Sequence, residues 1–301
     1  MKKLYQFYKD CKVLVTGGAG FIGSHLVEAL VESGAVVTIL DDFSTGSFAN
    51  LASVVDKITL VGGSITDKQT CNRAMKGQQI VFHCAAQTSV PQSMEDPLFC
   101  YATNVQGTYT LLQAAFENRV QRFVFSSSSA IYGEREGRCV ENLTANPSSI
   151  YGVSKMIGEE LCKNYKNFFN IETVSLRYFN VFGERQDALG AYAAAIAKFK
   201  YQIRHNKPII LFGDGLQRRD FVPVQNVVEA NMAVGQLPAD KVAGEVFNVA
   251  SGSSVTLLEV VQKLKQEFPS FNQEIVFAPA RAGDIRAIEA DCSKLQSVLA
   301  Y

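Results

Sequence analysis

The stretch KVLVTGGAGFIG, residues Lys12–Gly23, decides the fold of this chain. Its first part, Lys12–Thr16, is a short apolar run typical of a buried strand in a parallel sheet. A helical pattern follows over Phe21–Ser33, and Gly34 ends that pattern. A glycine-rich turn between a strand and a helix predicts the first unit of an alternating β-α fold.

Strand and helix patterns continue to alternate through the first half of the chain. Short apolar runs predict further buried strands at Val36–Leu40, Ile58–Val61, Ile80–Phe82 and Phe123–Phe125. Helical patterns at about 67–76 and 99–118 separate them. We therefore predict an α/β fold with a Rossmann-type doubly wound parallel sheet, in which all strands end along one ligand-binding edge.

The pattern changes in the second half of the chain. An alanine-rich helix is predicted over Ala191–His205, and the remainder mixes helices and strands without a clean β-α-β rhythm. We predict a main domain over residues 1–180 and a smaller C-terminal α/β substrate lobe over 181–301. Part of that lobe, about 220–250, is expected to return to the main domain. Residues 293–301 have the pattern of an unfinished amphipathic helix.

Composition and charge exclude several classes of function. The 301 residues include 29 basic and 29 acidic side chains, so nucleic acid and anionic membrane are poor partners. No apolar run approaches the roughly 20 residues that span a bilayer, and the basic N-terminus lacks the apolar segment of a signal peptide. The seven cysteines form no C-x-x-C pair and are odd in number. They indicate reduced thiols in a cytoplasmic protein, with neither disulfides nor a metal site.

The glycine turn and a later acidic residue predict a dinucleotide site. Gly17 permits the tight turn, Gly20 lets a pyrophosphate approach the backbone, and Gly23 allows close packing of helix on strand. Free N–H groups at the helix start then face the phosphates. Asp41 ends the second strand, where a carboxylate accepts from a ribose 2′-hydroxyl and repels a 2′-phosphate. Because no arginine follows Asp41-Asp42, NAD is favoured over NADP.

A serine run and a Tyr-x-x-x-Lys pair predict the chemistry. Tyr151 and Lys155 are four residues apart, so on a helix they share one face. An ammonium beside a phenol favours the phenolate, so Lys155 should lower a tyrosine pKa that starts near ~10. Ser126–Ser129 follow a predicted strand at the ligand edge, where a hydroxyl can hydrogen-bond a substrate oxygen. Together these groups suit proton transfer to or from an alcohol during hydride exchange with a nicotinamide.

These motifs, in this order, resemble the extended short-chain dehydrogenase/reductase family and, within it, the NAD-dependent nucleotide-sugar 4-epimerases. The similarity extends over essentially the whole chain. It is carried by Gly17–Gly23, Leu40–Gly46, His83–Gln87, Ser126–Gly133, Tyr151–Lys155, Arg177–Gly183, Phe212–Phe221 and Arg281–Asp284. The resemblance implies an isomerase with NAD as cofactor and a UDP-sugar as substrate. It also implies a homodimer that pairs the helices near 99–118 and 150–168.

The resemblance further implies roles for individual residues. In the family the catalytic serine or threonine lies four before the tyrosine of a Tyr-Gly pair, here Tyr132-Gly133. The implied catalytic residues are Ser128, Tyr151 and Lys155. The implied cofactor-binding residues are Gly17, Gly20, Phe21, Ile22, Gly23, Asp41, Ser64, Ile65, Ala85, Gln87, Asn104, Tyr151, Lys155 and Tyr178. The implied substrate-binding residues are Ser128, Tyr151, Asn180, Ala193, Phe212, Arg219, Arg281, Asp284 and Ile288.

The segments that are predicted to bind the substrate favour a UDP-hexose that carries an N-acetyl group. Gln186–Phe199 closely resembles the matching segment of epimerases that act on UDP-N-acetylhexosamines. Arg219 and Arg281 suit a diphosphate through charge-assisted hydrogen bonds, and Asp284 suits a ribose diol. In the family, the residue at the Ile288 position gates sugar size: tyrosine excludes N-acetyl groups and small residues admit them. Isoleucine is intermediate between the two.

Several alternative functions stay open at this point. A UDP-glucose/galactose or a UDP-glucuronate 4-epimerase remains an alternative, because Ile288 does not settle the sugar. Dehydratases resemble Thr-Asp-Glu-x-Tyr-Gly here and decarboxylases Thr-Ser-Glu-x-Tyr-Gly, whereas this chain has Ser129-Ala130 and lacks those acidic groups. A non-catalytic NAD sensor would not need Ser128, Tyr151 and Lys155 together.

Overall fold

The computed structural model describes residues 6–188, 195–280 and 285–299. Three of the predicted substrate-binding residues, Ala193, Arg281 and Asp284, lie outside these ranges. Across the described ranges, no helix combines the length and apolar character needed to cross a membrane.

Strands and helices alternate along the first half of the chain. The strands are β1 (Lys12–Thr16), β2 (Val36–Asp41), β3 (Ile58–Gly62), β4 (Ile80–His83), β5 (Arg122–Ser128), β6 (Glu172–Tyr178), β7 (Val181–Phe182), β8 (Ile209–Phe212), β9 (Arg218–Asp220), β10 (Val222–Pro223), β11 (Val246–Val249), β12 (Ser254–Thr256), β13 (Ile275–Ala278) and β14 (Ala287–Ile288). The helices are α1 (Phe21–Glu32), α2 (Lys68–Met75), α3 (Val90–Glu95), α4 (Pro97–Tyr101), α5 (Gly107–Glu117), α6 (Ile150–Phe169), α7 (Ala195–Arg204), α8 (Val224–Gln236), α9 (Ala239–Val242), α10 (Leu257–Glu267) and α11 (Ser293–Leu299). A π-helical segment, Ala102–Gln106, joins α4 to α5.

The main sheet has seven parallel strands in the order β11-β6-β5-β4-β1-β2-β3. The strand order reverses between β1 and β4, which pair directly, with Thr16 opposite His83. In a doubly wound sheet the ligand crevice opens outside the carboxyl ends of the strands at this switch point. The glycine turn after β1 and the segment after β4 therefore meet there, and the predicted fold class is confirmed.

Helices cover both faces of the sheet, as the side chains of β1 show. Val13 and Val15 pack into one buried cluster together with Leu26 of α1. Leu14, which points to the opposite face, packs into a second cluster with Leu111 of α5. All five side chains are completely buried. Burial on both faces explains why the strands are continuous apolar runs rather than alternating ones.

The second half of the chain builds smaller sheets and also returns to the main one. Strands β8 and β13 form a parallel pair, and β12, β9 and β14 form a three-stranded sheet. A third buried cluster lies between them and helices α7 and α10. By contrast, α8 packs on α1, and β11 forms the edge of the main sheet beside β6. The division into domains 1–180 and 181–301 remains our proposal.

Strand β5 is longer than its apolar pattern predicts. The sequence indicates a strand that ends at Phe125, but the ladder with β6 continues through Ser128, which pairs with Tyr178. Backbone pairing does not require apolar side chains, so the ladder extends into the serine run. Three serines of the run are therefore part of a rigid strand rather than a loop.

An exposed aromatic surface on α5 and α6 supports the predicted homodimer. Tyr109 and Phe116 on α5, and Phe168 and Phe169 on α6, are 42–76% exposed. Contiguous exposed apolar side chains of this size are typical of an interface. We expect a dimer by light scattering at micromolar concentration, and a monomer for Phe168→Glu. The control Val55→Glu, also at an exposed apolar site, should stay dimeric; a monomeric wild-type chain would contradict the prediction.

Candidate active site

The glycine turn packs so closely on neighbouring backbone that Gly17 and Gly23 have no room for a side chain. Gly17 has a φ of 68°, and a Cβ there would approach the Ala85 backbone nitrogen to 2.7 Å. A Cβ at Gly23 would lie 2.0 Å from the Gly17 carbonyl oxygen. Helix α1 begins at Phe21, and Gly20 caps it without a side-chain hydrogen bond. The backbone N–H groups at this helix start thus suit phosphate oxygens.

Asp41 sits at the carboxyl end of β2, beside the turn. Its Oδ2 accepts from the Ala19 N–H and its Oδ1 from the Phe43 N–H, both at 2.8 Å. Burial raises the pKa of this carboxyl, although the two backbone hydrogen bonds lower it. Each carboxylate oxygen has a further acceptor site, so the ribose-binding role predicted for Asp41 fits its geometry.

Several other predicted cofactor residues line the same edge of the sheet. Ala85 follows β4, and its N–H lies 3.3 Å from the Thr16 hydroxyl. Ile65 is buried against Gly107, where a Cβ would come within 2.6 Å of it. Ser64 hydrogen-bonds the Thr66 hydroxyl at 2.9 Å. Phe21 and Ile22 are partly buried in the first turn of α1.

Asn104 and Gln87 connect this edge to the catalytic helix α6. Asn104 Oδ1 accepts from the Gln87 N–H at 2.8 Å, and its Nδ2 donates to the Gln87 carbonyl at 2.9 Å. Asn104 Nδ2 also lies 3.0 Å from Ser154 Oγ on α6. Asn104 is 2% exposed, so its polar atoms face the protein. Its placement suits support of the cofactor segment, and its cofactor-binding role remains a prediction.

The hydroxyl of Tyr178 is turned into the protein at the end of β6. It lies 3.1 Å from Ser126 Oγ and 3.0 Å from Asn231 Oδ1. Burial raises the pKa of Tyr178 well above the ordinary value. This hydroxyl is therefore a neutral hydrogen-bonding group that fixes Ser126, and contact of Tyr178 with the cofactor remains a prediction.

Helix α6 carries the predicted catalytic pair at its amino end. Ser149 caps the helix by accepting from the Gly152 N–H, and Ser93 accepts from the Tyr151 N–H at 3.1 Å. A Cβ at Gly152 would lie 2.6 Å from the Ala130 carbonyl oxygen, so the helix start packs tightly on the turn after β5. These contacts place the Tyr151 side chain at the carboxyl edge of the sheet.

The three predicted catalytic residues are brought together. Ser128 ends β5, and its hydroxyl faces the Tyr151 phenol, whose pKa it lowers. The Lys155 ammonium donates to the Ser126 carbonyl at 2.8 Å and lies 5.8 Å from the centre of the Tyr151 ring. Lys155 is only 4% exposed. A hydroxyl, a phenol and an ammonium thus converge at one end of β5.

The protonation of this group differs from the sequence-based expectation. Burial raises the pKa of Tyr151 to about 12; the Ser128 hydrogen bond acts in the opposite direction, and the Cys100 thiol adds to the rise. Burial also lowers the pKa of Lys155 to about 8. The tyrosine pKa therefore rises instead of falling as the Tyr-x-x-x-Lys pair predicts, because desolvation is the largest influence on it. Tyr151 is a protonated phenol at neutral pH.

The predicted substrate residues adjoin this centre from the second half of the chain. Asn180 Nδ2 donates to the Asp220 carbonyl at 2.9 Å. Arg219 on β9 pairs with Ile288 on β14. Ile288 is 6% exposed and shares a buried cluster with Tyr132, four residues after Ser128. Ile288 and the turn that follows the catalytic strand therefore pack into the same cluster.

Phe212, another predicted substrate-binding residue, lies on the parallel strand pair β8 and β13. It ends β8 and is partly buried, and the Lys198 ammonium lies 5.8 Å from its ring centre. An aromatic face beside a cation suits a uracil base next to phosphates. Its nucleotide-binding role, like those of Asn180 and Arg219, remains a prediction.

Comparison with known proteins identifies the family. The model of the NAD-dependent epimerase/dehydratase family matches residues 13–250. The chain belongs to this family. A UDP-glucose 4-epimerase from Mycolicibacterium smegmatis is 35% identical over 96% of this chain and 93% of its own length.

Solved structures of the family have the same architecture. The UDP-N-acetylglucosamine 4-epimerase from Methanobrevibacter ruminantium, in complex with UDP-N-acetylmuramic acid, is 35% identical with a TM-score of 0.91, over 97% of this chain and 93% of its own. The UDP-glucose 4-epimerase from Thermotoga maritima, with UDP-glucose, is 34% identical with a TM-score of 0.91, over 96% and 93%. The predicted cofactor, NAD, and the predicted class, an epimerase acting as an isomerase, are confirmed.

Proposed function

We propose that this protein interconverts UDP-N-acetylglucosamine and UDP-N-acetylgalactosamine by inverting the configuration at C4. One observation carries the reaction type. The Ser128 hydroxyl faces the Tyr151 phenol and lowers its pKa, and Lys155 is held to the Ser126 carbonyl at the same end of β5, without a carboxylate at positions 129 and 130. These three side chains can remove a proton from one sugar hydroxyl and return it. The turn that follows β5 carries no carboxylic acid side chain.

Each residue has a distinct part in the reaction. When bound in the cradle formed by Gly17, Gly23 and Asp41, NAD supplies a group that accepts a hydride and returns it. The Tyr151 oxygen takes the proton of the C4 hydroxyl and later gives it back. Ser128 donates to the same C4 oxygen once it becomes a carbonyl. The 4-keto sugar turns within the pocket between these two steps, so C4 is re-formed with either configuration.

The charge state of Tyr151 is set in two ways. In the protein alone, burial keeps the phenol protonated, which suits proton return to a 4-keto sugar. Positive charge favours a phenolate, so the Lys155 ammonium and an oxidised nicotinamide together act against the effect of burial. Tyr151 therefore alternates between base and acid as the charge beside it changes.

The turn after β5 disfavours loss of water from the sugar. Ser129–Ile131 form a single 3-10 turn, capped by the Ser128 side chain. Ala130 stands where a glutamate is needed for dehydratase or decarboxylase chemistry in related proteins. A methyl group cannot exchange a proton with C6, so the reaction stops at epimerisation.

Two features favour an N-acetylated sugar. The segment Gln186–Phe199 resembles that of epimerases with such substrates, and the Methanobrevibacter relative is a UDP-N-acetylglucosamine 4-epimerase. By the family resemblance, the isoleucine at position 288 is intermediate between the tyrosine that excludes the acetyl group and the small residues that admit it, so it does not decide between the sugars. UDP-glucose, UDP-galactose and UDP-glucuronate are the competing substrates.

The proposal is tested by comparing kcat/KM for the N-acetylated and plain UDP-hexose pairs and for UDP-glucuronate. We expect the N-acetylated pair to be favoured by about tenfold or more, which corresponds to one well-placed group in a pocket. A preference for UDP-glucose or UDP-glucuronate would contradict the proposed substrate and leave the 4-epimerase class standing.

Replacement of Ile288 tests whether this residue controls access of the N-acetyl group to the sugar pocket. Ile288 is buried, so Ile288→Tyr has to displace neighbouring atoms or occupy the acetyl pocket. Overpacking costs about 1–3 kcal/mol, so kcat/KM for UDP-N-acetylglucosamine should fall roughly ten- to a hundred-fold relative to UDP-glucose. The control Ile288→Leu conserves volume and should leave the ratio unchanged. An equal fall for both sugars would remove Ile288 as the gate.

A further inference from the structure

Glu159 completes a row of contacts between β5 and the catalytic helix α6. Tyr151, Lys155 and Glu159 are spaced by four residues, so they share the helix face that packs on the strand. The first two are held to β5 by the contacts described above. The third contact is a hydrogen bond from the Ser127 hydroxyl to Glu159 Oε1, at 2.5 Å.

Side-chain alternation explains why Ser127 makes this contact. Phe123 and Phe125 face the buried cluster that includes Cys162 of α6, so Ser127 points to the same side. The side chain of Ser126 points to the other face, where it meets Tyr178. Within the serine run, Ser127 is therefore the residue whose hydroxyl can reach the middle of α6.

The same carboxylate is also bound by the neighbouring strand. Arg177 on β6 lies directly opposite Ser127 in the ladder. Its Nε donates to Glu159 Oε1 at 2.9 Å and one terminal nitrogen donates to Oε2 at 2.7 Å. The two side chains are 7% and 10% exposed. A buried, two-pronged pair of this kind fixes geometry as well as charge.

Arg177 is itself held from two further sides. Its guanidinium lies 4.8 Å from the Tyr132 ring centre and donates to the Glu141 carbonyl at 3.1 Å. The Tyr132 hydroxyl donates to Asn248 Oδ1 on β11 at 2.6 Å. Glu159 is thus linked to three adjacent strands of the main sheet, and α6 is fixed to their carboxyl ends.

We propose that Glu159 is a positioning residue that sets the register of α6 on β5 and thereby aligns Tyr151 with Ser128. This inference rests on the proposed function, because it concerns the alignment that the C4 proton transfer needs. A misplacement of about 1 Å at a reacting centre can cost 10²-fold in rate, so loss of this clamp should lower turnover rather than substrate affinity.

The first test is Glu159→Gln, which keeps the shape and removes the charge that holds Arg177. We expect kcat to fall by about tenfold or more while KM changes by less than about threefold. The matched control is Glu172→Gln. It breaks the Arg122–Glu172 pair, which joins β5 and β6 at their amino ends, far from Tyr151. That control should lose stability and keep kcat within about twofold.

A second variant covers the case in which Glu159→Gln does not fold. Ser127→Ala removes the link to β5 and leaves the ion pair in place. We expect kcat to fall by about threefold or more with little change in melting temperature, and faster hydrogen exchange of the amides in 150–158. Unchanged kcat and unchanged exchange in Ser127→Ala, or an equal fall of kcat in Glu172→Gln and Glu159→Gln, would overturn the proposal.

Turnover and hydrogen exchange are separate measurements, so failure of this inference can be told apart from failure of the proposed function. If the wild-type chain converts none of the UDP-hexoses, the proposed function fails. Hydrogen exchange of 150–158 still compares Ser127→Ala with the wild type, without any substrate. Faster exchange there supports the register role, and identical exchange contradicts it.

Discussion

Tyr151→Phe is expected to lower kcat by about 10²–10⁴-fold, the usual value of general acid–base catalysis. Phenylalanine keeps the ring that lies 5.8 Å from Lys155 and loses the hydroxyl that faces Ser128. The nucleotide is expected to bind through other residues, so KM should change little. Steady-state rates measured in both directions check this result.

A second tyrosine on the same helix provides the control for Tyr151→Phe. Tyr165 is 5% exposed, and its hydroxyl donates to Gln113 Oε1 at 2.9 Å. Tyr165→Phe therefore removes a comparable buried hydroxyl far from the amino end of α6. It should keep kcat within about twofold. Unchanged turnover in Tyr151→Phe would place the catalytic acid and base elsewhere.

Gly23→Ala is expected to abolish retention of NAD and to destabilise the protein. The new Cβ would lie 2.0 Å from the Gly17 carbonyl oxygen, a backbone atom that can move only with the turn. Overpacking costs about 1–3 kcal/mol, and the upper end applies where backbone has to shift. The wild-type enzyme regenerates its NAD in each cycle, so we expect it to carry NAD or NADH as purified.

The control for this variant is Gly62→Ala. Gly62 ends β3, and a Cβ there would have no heavy atom within 4 Å. Both variants should be extracted for nucleotide and unfolded with urea. We expect Gly62→Ala to match the wild type in both measurements. If Gly23→Ala keeps its NAD and its unfolding free energy, the glycine turn is not the cofactor cradle.

The local patterns of the first half were sufficient to predict the main sheet. Strand β1, the glycine turn and helix α1 follow directly from apolar runs and glycine spacing, and the remaining buried strands follow from the same rule. The carboxyl end of β5 could not be predicted from an apolar run. Its last three residues are serines, and what keeps them in the strand is pairing with β6, some 50 residues away.

The sequence predicted which residues meet at the site. It did not predict the pKa values of their side chains. The structure brings Ser128, Tyr151 and Lys155 together at one end of β5, and their catalytic roles, which the resemblance implies, stay predictions. The resemblance did not predict that burial would raise the Tyr151 pKa, because desolvation depends on everything packed around a group. Glu159 was missed as well. Its spacing of four from Lys155 was a signal, but its partner Arg177 lies on another strand.

The most direct test of the account is the fate of the hydrogen at C4. UDP-N-acetylglucosamine deuterated at C4 should be incubated with the purified protein in ordinary water, and the products analysed by NMR and mass spectrometry. If the hydride is held on bound NAD and returned to the other face, UDP-N-acetylgalactosamine should form with its C4 deuterium fully retained. A product with hydrogen from water at C4, or one that has lost the C6 oxygen, would contradict the account.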